Sequence, residues 1–470
     1  MAATIPSTFL SASLLLLCLL SASRKGCVAF EQQELAAETH HHTLLVSSLL
    51  PSSVCNSSKA KYSHNPCFMT ADWPFGDCFY RQKVLLHDQA RVNSIHSRFA
   101  NTVNNVKEKA ATSIPAMSGS VIGSASYIVT VGLGTPKKDL SLVFDTGSDL
   151  TWTQCQPCVG YCYQQKEPIF DPTQSKSYLN ISCSSSICGS LYSATGGNRP
   201  GCSSSTCVYK IGYGDKSFSV GFFGTERLTL TSADIFDNFL FGCGENNQGL
   251  FRGAAGLLGL GRNELSLPSQ IAQKYNKVFS YCLPSSARST GYLSFGNSGF
   301  SNSVKFTPLV TLSGGPSFYG LGITEISVDG KRLSISSSVF TTAGTIIDSG
   351  TDITRLPPTA YSALRTAFRQ GMSKYPMGKQ IQILDTCYDL SSYNSVSIPN
   401  ISISFSGGVE VEIAPAGILY VISPSQVCLA FAGNNDDSEV GILGNVQQRT
   451  LQVVYDGANG RLGFAADGCS

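Results

Sequence analysis

The chain carries one short sequence pattern twice, and this internal duplication constrains its fold more strongly than any other feature. Residues 142–148 read Leu-Val-Phe-Asp-Thr-Gly-Ser, and residues 345–351 read Thr-Ile-Ile-Asp-Ser-Gly-Thr. Each copy is followed later in the chain by a glycine-apolar-apolar-glycine element, at 256–259 and at 441–444 respectively. Two halves with the same order of elements predict two similar lobes, each of which contributes one carboxylate.

The aspartates of the two copies, Asp145 and Asp348, are the candidate catalytic residues. A buried strand that ends in aspartate holds its carboxylate rigidly, and the following Gly147 and Gly350 let the backbones approach closely. Because two carboxylates that share a site cannot both ionise easily, the pair holds one proton over an acidic pH range. One aspartate can then act as a base on water while its protonated partner polarises a carbonyl group. This chemistry needs neither a metal nor another cofactor.

Hydroxyl side chains flank both aspartates and complete the predicted site. Thr146 and Ser349 can hydrogen-bond across the junction between the lobes. Ser148 and Thr351 can each donate towards the carboxylates. A single Asp-Thr-Gly is most often an ordinary turn in which the aspartate bonds its own backbone, whereas two copies in matching contexts favour a shared site.

The distribution of histidine agrees with carboxylate chemistry. All six histidines lie between residues 40 and 96, so the rest of the chain contains no imidazole. A Ser-His-Asp triad, a Cys-His pair and a His-ligated zinc site all require imidazole and are therefore excluded there. We interpret the histidine run at 40–42 as a solvated surface tract and predict no metal site. We hypothesise that the N-terminal histidines charge as the pH falls and loosen the segment that contains them.

The composition favours many short strands. Charged residues make up only 14% of the chain, and its 45 glycines suit tight turns rather than helix bundles. Strand-like runs at 127–136 and 140–144 are followed by similar runs as far as residue 464, and one helix is predicted after the proline pair at 357–358. The net charge of +2 gives no general attraction to nucleic acid or to anionic membranes. The fold class is therefore predicted to be mainly β.

Several motifs resemble those of the pepsin-like aspartic proteases. The sequences at 145–148 and 348–351 match the two active-site signatures of that family. The stretch Tyr-Gly-Asp-Lys-Ser that begins at Tyr213 resembles the family's flap, and Trp152 falls where the family places a tryptophan that hydrogen-bonds the flap tyrosine. The resemblance implies a bilobal fold of two pseudo-symmetric β lobes with a few short helices. One departure is Lys216, which stands where the family flap usually has glycine.

The resemblance spans roughly residues 120–468 and is closest to the atypical, nepenthesin-type plant enzymes. Residues 149–158 show their pattern after the first aspartate, and a cysteine-rich insertion follows. Similar enzymes carry a propeptide, which gives residues 30–118 an expected role as an inhibitory and folding segment. Some related sequences are described as chloroplast nucleoid DNA-binding proteases, so a plastid location stays open beside the secretory route.

Four segments are predicted along the chain. Residues 1–29 form the expected signal peptide, although no Lys or Arg precedes their apolar run and an organelle transit peptide or a noncanonical anchor is the alternative. Residues 30–118 form the expected propeptide. The N-terminal lobe with the cysteine-rich insertion spans 119–305, and the C-terminal lobe spans 306–470. No stretch after the signal peptide is long and apolar enough to predict a membrane span.

Within the expected propeptide, apolar residues recur at helical spacing. Leu85, Val92, Ile95 and Phe99 predict an amphipathic helix at 81–107. The small-residue, proline-containing stretch at 110–120 is interpreted as a linker between the propeptide and the first lobe.

The cysteine content predicts an oxidising compartment. The chain has 17 cysteines, and those after residue 118 are even in number and suit six disulfide bonds. The pairing stays open, except that the family resemblance suggests a bond between Cys387 and Cys428. For Cys155 and Cys158 a redox or zinc role is the alternative. The disulfide candidates are Cys155, Cys158, Cys162, Cys183, Cys188, Cys202, Cys207, Cys243, Cys282, Cys387, Cys428 and Cys469.

Three asparagines are predicted N-glycosylation acceptors. Asn180 and Asn400 each begin an Asn-Ile-Ser tripeptide. Asn56 begins an Asn-Ser-Ser tripeptide in the expected propeptide.

These features predict a secreted or vacuolar aspartic endopeptidase that is made as a zymogen and acts at acidic pH. We expect a monomer whose partners are polypeptide substrates and its own propeptide, which acts as an intramolecular inhibitor. The first alternative is a pepsin-like fold that has lost catalysis and inhibits microbial xylanases or glucanases. The second alternative, a nucleic-acid-binding protein, conflicts with the lack of a basic tract after residue 118.

Overall fold

The computed structural model describes residues 41–45, 77–98, 112–122, 126–213, 216–249, 251, 253–286, 288–297, 300–423 and 425–469. The chain divides into residues 1–39 and a compact unit from His40 to Ser470, and the structure below is that of the second unit. The predicted signal peptide, the glycosylation acceptor Asn56 and most of the predicted propeptide lie outside the described residues.

The described part of the chain is mainly β, which confirms the predicted fold class. Its strands are β1 (His41–Leu45), β2 (Thr112–Ser118), β3 (Tyr127–Leu133), β4 (Lys138–Asp145), β5 (Trp152–Gln154), β6 (Leu179–Asn180), β7 (Gly201–Ser203), β8 (Thr206–Gly212), β9 (Phe218–Thr231), β10 (Asp234–Gln248), β11 (Gly256–Gly259), β12 (Val278–Cys282), β13 (Gly291–Phe295), β14 (Lys305–Pro308), β15 (Tyr319–Leu321), β16 (Ile323–Val328), β17 (Lys331–Arg332), β18 (Thr345–Ile347), β19 (Thr354–Leu356), β20 (Cys387–Asp389), β21 (Ser395–Pro399), β22 (Ile401–Phe405), β23 (Val409–Glu412), β24 (Leu419–Ser423), β25 (Gln426–Leu429), β26 (Phe431–Gly433), β27 (Gly441–Leu443), β28 (Gln452–Asp456) and β29 (Arg461–Ala465). Its helices are α1 (Asp77–Arg98), α2 (Ser186–Gly189), α3 (Leu191–Ala194), α4 (Leu267–Gln270), α5 (Ala272–Tyr275), α6 (Ser337–Thr341), α7 (Pro358–Gly371), α8 (Pro415–Ile418) and α9 (Asn445–Gln448), with 3₁₀ turns at Gly119–Ile122 and Pro172–Gln174.

One large sheet joins strands from both halves of the chain. Its order is β14-β29-β28-β12-β13-β2-β3-β4-β11-β5-β10-β9-β8-β7, with β6 paired to β9. The antiparallel pairing of β12 with β28 connects the two halves within this sheet. Three smaller sheets, in the orders β15-β18-β27-β19-β26, β17-β16-β22-β23 and β20-β25-β24, belong to the second half.

The duplication in the sequence becomes a duplicated strand arrangement. In the first half β3 pairs antiparallel with β4, β4 runs parallel to β11, β11 pairs antiparallel with β5, and β5 runs parallel to β10. In the second half β15, β18, β27, β19 and β26 repeat the same succession of pairings. The glycine-apolar-apolar-glycine elements lie at β11 and β27, the parallel neighbours of the strands that lead to the two aspartates. The prediction of two similar lobes is therefore confirmed.

The strands that lead to the aspartates are buried. Every residue of β4 from Leu140 to Asp145 is buried, and so is every residue of β18. A strand that is covered on both faces carries a continuous apolar run rather than an alternating pattern. This explains the nearly unbroken apolar character of the sequence before each aspartate.

Helix α1 packs against the second half of the chain along one face. Leu85 lies in a buried cluster with Ile353, whereas Val92 and Ile95 lie in a second cluster with Ile346. Three of the four apolar residues that predicted the helix therefore form its buried face. The burial of this stripe against the core stabilises a helix that has little tendency to form alone.

Two strands of the predicted propeptide also join sheets. Strand β1 pairs antiparallel with β21, and β2 lies between β13 and β3 in the large sheet. The interpretation of 110–120 as a linker is therefore wrong, because residues 112–118 form a strand that is hydrogen-bonded on both edges. The helix predicted at 81–107 is observed as α1, and residues 99–111 lie outside the described residues.

Six disulfide bonds join the twelve cysteines that were predicted to pair. Cys155 and Cys158 have different partners, so the redox and zinc alternatives for these two cysteines are wrong. The bond suggested by the family resemblance, between Cys387 and Cys428, is present. The bonds are Cys155–Cys243, Cys158–Cys162, Cys183–Cys202, Cys188–Cys207, Cys282–Cys469 and Cys387–Cys428.

Candidate active site

The two predicted catalytic aspartates lie at the ends of matching strands. Asp145 is the last residue of β4, Asp348 directly follows β18, and both side chains are fully buried. Gly259 in β11 is the register partner of Asp145, and Leu443 in β27 is the partner of Ile347. Because each of these strands has neighbours on both edges, the backbone that carries each aspartate is fixed by a sheet.

The hydrogen bonds at the two carboxylates follow one scheme. The Asp145 carboxylate accepts hydrogen bonds from the Gly147 N–H at 3.0 Å and from the Ser148 hydroxyl at 2.6 Å. The carboxylate of the second aspartate accepts the equivalent bonds from the Gly350 N–H at 3.1 Å and from the Thr351 hydroxyl at 2.5 Å. The supporting residues predicted from the sequence are thus in contact with the aspartates.

The glycines of both motifs leave room for the opposite carboxylate. A Cβ atom added to Gly147 would lie 2.6 Å from Oδ1 of Asp348. In the same way, a Cβ atom added to Gly350 would lie 2.6 Å from Oδ1 of Asp145. Because carbon and oxygen atoms do not approach so closely, any other residue at these positions would push the carboxylates apart. The glycines therefore allow the two carboxylates to converge.

A reciprocal pair of hydrogen bonds connects the two motifs. The Thr146 N–H donates to the Ser349 hydroxyl at 3.1 Å, and the Ser349 N–H donates to the Thr146 hydroxyl at 2.9 Å. Both residues are buried, so these bonds lie in a region of low dielectric where their loss would be costly. They fix the spacing of the two loops that carry the aspartates.

The predicted flap residues lie together beside the first motif. The Trp152 indole N–H donates to the Tyr213 hydroxyl at 2.7 Å. Phe251, which sequence reasoning missed, packs edge-on against both rings, with centroid distances of 5.0 Å to Trp152 and 5.5 Å to Tyr213. Burial raises the pKa of Tyr213 above its ordinary value, so its hydroxyl stays neutral and can donate a hydrogen bond.

The flap turn contains the residue that departs from the family pattern. The Tyr213 N–H donates to the Ser217 carbonyl at 2.8 Å, and the Lys216 N–H donates to the Tyr213 carbonyl at 3.0 Å. Lys216 has a φ of 67°, in the left-handed region that favours glycine. A non-glycine residue in this conformation costs about 1 kcal/mol. The turn therefore retains the conformation that glycine favours even though lysine occupies the position.

A third charged residue joins the two aspartates, and it comes from helix α1. The Arg91 guanidinium places Nη2 at 2.5 Å from Oδ1 of Asp145 and at 2.9 Å from Oδ1 of Asp348. Its Nε lies 2.9 Å from Oδ2 of Asp348, and its Nη1 lies 3.3 Å from Oδ2 of Asp145. Further along α1, the Arg98 guanidinium donates to the Gly147 carbonyl at 3.2 Å. One guanidinium therefore bridges both carboxylates and occupies the point between them.

Sequence reasoning missed Arg91, although one signal was present. Asp88 and Arg91 fall between Leu85 and Val92 on the apolar face that predicted the helix. Charged residues on the buried face of an amphipathic helix need partners of opposite charge in the surface that covers them. This pattern could have indicated that the helix docks on a charged site.

The arginine changes the acid–base properties of the pair. Burial acts to raise the pKa of Asp145, but the charge and hydrogen bonds of Arg91, with those of Ser148 and Gly147, hold this pKa below its ordinary value. The pKa of Arg91 is correspondingly raised, because the attraction of the two aspartates outweighs its burial. While α1 is docked, the ionised form of Asp145 is therefore favoured and is paired with Arg91.

The remaining predicted sites lie away from the aspartates. Asn180 in β6 is exposed, and its side-chain carbonyl accepts a hydrogen bond from the Tyr178 hydroxyl at 2.8 Å. Asn400 is partly buried, and its amide nitrogen donates to Glu412 at 2.9 Å. Within the described residues, no group of three His, Cys, Asp or Glu side chains could hold a metal ion.

The sequence relatives of the chain are plant proteases. It is 59% identical over 448 residues to an aspartyl protease family protein of Arabidopsis thaliana, a match that covers 92% of this chain and 94% of that protein. This chain belongs to the plant aspartyl protease family. The aspartic proteinase nepenthesin-2 of Nepenthes gracilis is 39% identical over 359 residues, 74% of this chain and 78% of its own length. The predicted resemblance to atypical, nepenthesin-type plant enzymes is therefore confirmed.

Two family models match the sequence of this aspartyl protease family member, and solved structures share its fold. Residues 127–297 match the model described as xylanase inhibitor N-terminal, and residues 318–466 match the model described as xylanase inhibitor C-terminal. The crystal structure of edgp, 22% identical, superposes with a TM-score of 0.61 over 77% of this chain and 96% of its own. The crystal structure of basic 7S globulin from soybean is also 22% identical. It superposes with a TM-score of 0.60 over 76% of this chain and 97% of its own. At this identity the likeness shows the fold alone.

Proposed function

We propose that the chain is an aspartic endopeptidase that hydrolyses peptide bonds with the pair Asp145 and Asp348. The observation that carries the proposal is the symmetry of the pair. Two buried carboxylates, each held by one backbone N–H and one hydroxyl, converge on a single point between matching strands. The plant relatives that are named aspartic proteases support the same reaction.

In the proposed reaction the pair carries one proton. The ionised aspartate takes a proton from a bound water molecule, and the water oxygen attacks the carbonyl carbon of the scissile bond. The protonated aspartate gives its proton to the carbonyl oxygen, so a neutral tetrahedral diol forms. The first aspartate then passes its proton to the amide nitrogen while the second takes a proton from the diol. The C–N bond breaks, and an amine and a carboxylic acid leave.

In the proposed reaction the flap residues cover the bound substrate. Tyr213, held by Trp152, closes over an extended peptide that lies across the aspartates. Its neutral hydroxyl and the aromatic rings beside it exclude water from one side of the scissile bond. The apolar character of this wall favours hydrophobic residues beside that bond.

The position of helix α1 supports the proposal that the enzyme is made as a zymogen. The water molecule and the scissile carbonyl must lie within hydrogen-bond distance of both aspartates, and Arg91 occupies this position. Activity therefore requires α1 to leave. The propeptide in this proposal lies within residues 30–118, and α1 is its inhibitory part.

The six disulfides support a route through the secretory pathway to the extracellular space or the vacuole, because such bonds persist in oxidising compartments. In the described part of the chain, no helix has the length and apolarity that crossing a membrane would need. An acidic location suits a pair of aspartates that shares a proton.

The test of the proposed function is hydrolysis of a denatured protein. Acid-treated chain is incubated with denatured haemoglobin between pH 2 and pH 6, with and without pepstatin. We expect cleavage that pepstatin abolishes and that Asp145→Asn and Asp348→Asn each reduce by at least about a thousandfold. Absence of cleavage by the matured wild-type chain over the whole range would overturn the proposal.

A second candidate function is inhibition of a microbial glycanase. The observation that favours it is the description of both matching models as parts of a xylanase inhibitor. The intact hydrogen bonding at both aspartates favours the protease, since an inhibitor needs no such pair. Stoichiometric inhibition of a fungal xylanase by the Asp145→Asn chain, without proteolysis by the wild type, would favour the inhibitor instead.

A further inference from the structure

Helix α1 buries a second charged side chain one turn before Arg91. The Asp88 carboxylate accepts hydrogen bonds from the Asp352 N–H at 2.5 Å and from the Ile353 N–H at 3.3 Å. Its Oδ2 also lies 2.8 Å from Nη2 of Arg355, and only 5% of Asp88 remains exposed. Two backbone donors and one guanidinium from the C-terminal half therefore form a pocket that already holds a carboxylate.

The pocket depends on α1 for its negative charge. Arg355 lies in β19, is only 1% exposed, and donates from Nη1 to the Ile353 carbonyl at 2.7 Å. Its Nη2 reaches Asp88 and Gln89, both of which are on α1, and its Nε has no hydrogen-bond partner among the described residues. When α1 leaves, Arg355 keeps its hydrogen bond to the Ile353 carbonyl and loses its ion pair with the Asp88 carboxylate. A guanidinium fixed in a cleft without an anion is a strong binding site for one.

The position of the pocket relative to the aspartates makes it part of the substrate cleft. Asp88 and Arg91 are three residues apart on one helix, so their side chains leave the same face about 5–6 Å apart at Cβ. Arg91 lies on the catalytic pair, and Asp352 directly follows Thr351, whose hydroxyl holds Asp348. A peptide that replaces α1 over the aspartates therefore passes beside Arg355.

We infer that Arg355 and the backbone N–H groups of Asp352 and Ile353 form a substrate subsite that selects an acidic side chain, Asp or Glu. The inference rests on the proposed protease function and deepens it by assigning a specificity residue. Asp88 then occupies in the zymogen the place that an acidic substrate residue occupies in the mature enzyme. The docked helix in this way fills both the catalytic point and the subsite beside it.

The carboxyl group of Asp352 does not oppose this selection at acidic pH. Burial first, and the charge of Asp88 second, raise the pKa of Asp352 to about 7. Its Oδ1 also accepts a hydrogen bond from the Asn445 side-chain amide at 2.8 Å. Both causes belong to the docked state, and a substrate carboxylate bound in the place of Asp88 restores them, so that it again favours the protonated form of Asp352. An exposed substrate Glu is mostly ionised at pH 5. The net charge that the substrate meets in the pocket is that of Arg355.

The test compares matched peptides on the acid-matured wild-type enzyme at pH 5. Quenched fluorescent peptides differ in one residue, Glu or Gln, placed in turn at each of the four positions on either side of the scissile bond. We expect kcat/KM to favour Glu by about tenfold at one position. In Arg355→Gln this ratio should fall to near one, and in Arg355→Lys it should be intermediate. The control Arg461→Gln, which removes the salt bridge to Asp456 in β28, should keep the wild-type ratio.

The outcomes separate this inference from the function on which it rests. If the wild type cleaves haemoglobin but treats Glu and Gln peptides alike at every position, the subsite is overturned and the protease stands. If Arg355→Gln keeps the preference for Glu, another residue selects the acid and the assignment fails. Absence of all cleavage overturns both proposals. The wild-type comparison needs no variant, so the subsite can be tested even if an Arg355 variant folds poorly.

Discussion

At the scale of single residues, the docking of α1 over the aspartates depends on the shape of one guanidinium group. The Arg91 Nη2 atom contacts both Asp145 and Asp348, while Nε and Nη1 bond the second oxygen of each carboxylate. A planar fork with five donors can satisfy two carboxylates at once, whereas an ammonium group offers three donors from one point. Lysine in place of Arg91 would therefore leave part of the pair unsatisfied.

We expect Arg91→Gln to open the site in the full chain. The substitution leaves the two aspartates without a cation, and loss of one partner from such a buried ion pair weakens docking of α1 by about 3 kcal/mol. With a quenched peptide at pH 6, the variant should cleave without a lag, whereas the wild type should need a prior acid step. Lys83→Gln, an exposed position on the same helix, is the control and should behave like the wild type. A lag in Arg91→Gln as long as that of the wild type would contradict the role given to Arg91.

The sequence predicted the aspartates but not the arginine between them, and the reason is physical. Asp145 and Asp348 need a buried strand before them and a glycine and a hydroxyl after them, so their chemistry leaves a local signature. Arg91 needs only to reach its partners, which lie 54 and 257 residues away in the chain. Long-range pairing of this kind leaves no fixed spacing for a pattern to detect.

At the scale of elements, the predicted propeptide contains parts with different attachments. Helix α1 lies across the aspartates, whereas β2 is hydrogen-bonded to β13 on one edge and to β3 on the other. Loss of β2 would leave backbone groups of two interior strands unpaired, which is costly in a buried sheet. Removal of α1 leaves that sheet intact.

We therefore expect maturation to remove α1 and to retain β2. The first residue of the mature chain should fall after Arg98 and no later than Thr112, upstream of the predicted boundary at residue 118. N-terminal sequencing and intact mass of the acid-matured chain measure this position. The Asp145→Asn chain, processed in trans by the wild type, should yield the same N-terminus. A fully active mature chain that begins after Ser118 would show that β2 is dispensable.

Among the helices and strands, those with a strong local sequence pattern were predicted correctly. The proline pair at 357–358 and the apolar spacing after it predicted a helix, and α7 is observed at Pro358–Gly371. Strand β2 escaped prediction because Pro115 lacks a donor N–H and only Ile114 and Ala116 are buried. Its strand conformation comes from the two neighbours that pair with it rather than from its own sequence.

At the scale of the whole molecule, the duplication predicted the bilobal arrangement, but not how distant segments attach to it. Four of the six disulfides, whose pairing the sequence left open, and the docking of α1 depend on contacts between residues that are distant in the chain. The bond between Cys282 and Cys469, for example, joins residues 187 apart. Such attachments also decide how the whole molecule responds to pH, because docking buries titratable groups.

Two groups weaken docking of α1 as the pH falls. Burial lowers the pKa of His96, against the hydrogen bond to the Val440 carbonyl and the charge of Glu439, so the docked helix favours neutral imidazole. Its contribution is therefore present above the ordinary value of 6.5 and declines as the pH falls below it. The pKa of Asp145 is lowered in the docked state because Arg91 outweighs burial, so its contribution is lost as the pH falls through that lowered value.

Asp352 acts in the opposite direction. In the docked state burial and Asp88 raise its pKa to about 7, so docking favours the protonated carboxyl group. This contribution is fully present below the ordinary value of 3.8, declines as the pH rises, and is lost by about pH 7. Below pH 7 Asp352 therefore opposes the effect of His96 on docking, and above about pH 7 none of the three groups changes docking further.

Hydrogen–deuterium exchange of α1 in the uncut full chain, corrected for the pH dependence of intrinsic exchange, measures this profile between pH 4 and pH 8.5. We expect the protection of α1 in the wild type to be independent of pH above about pH 7.5. His96→Gln removes the titrating imidazole, so protection should persist to lower pH. Asp352→Asn keeps the group neutral in both states and removes its opposing contribution, so protection should fall more steeply below pH 7 than in the wild type. The same acid-side profile in Asp352→Asn and in the wild type would show that Asp352 does not control docking and would leave acid release to His96 and Asp145.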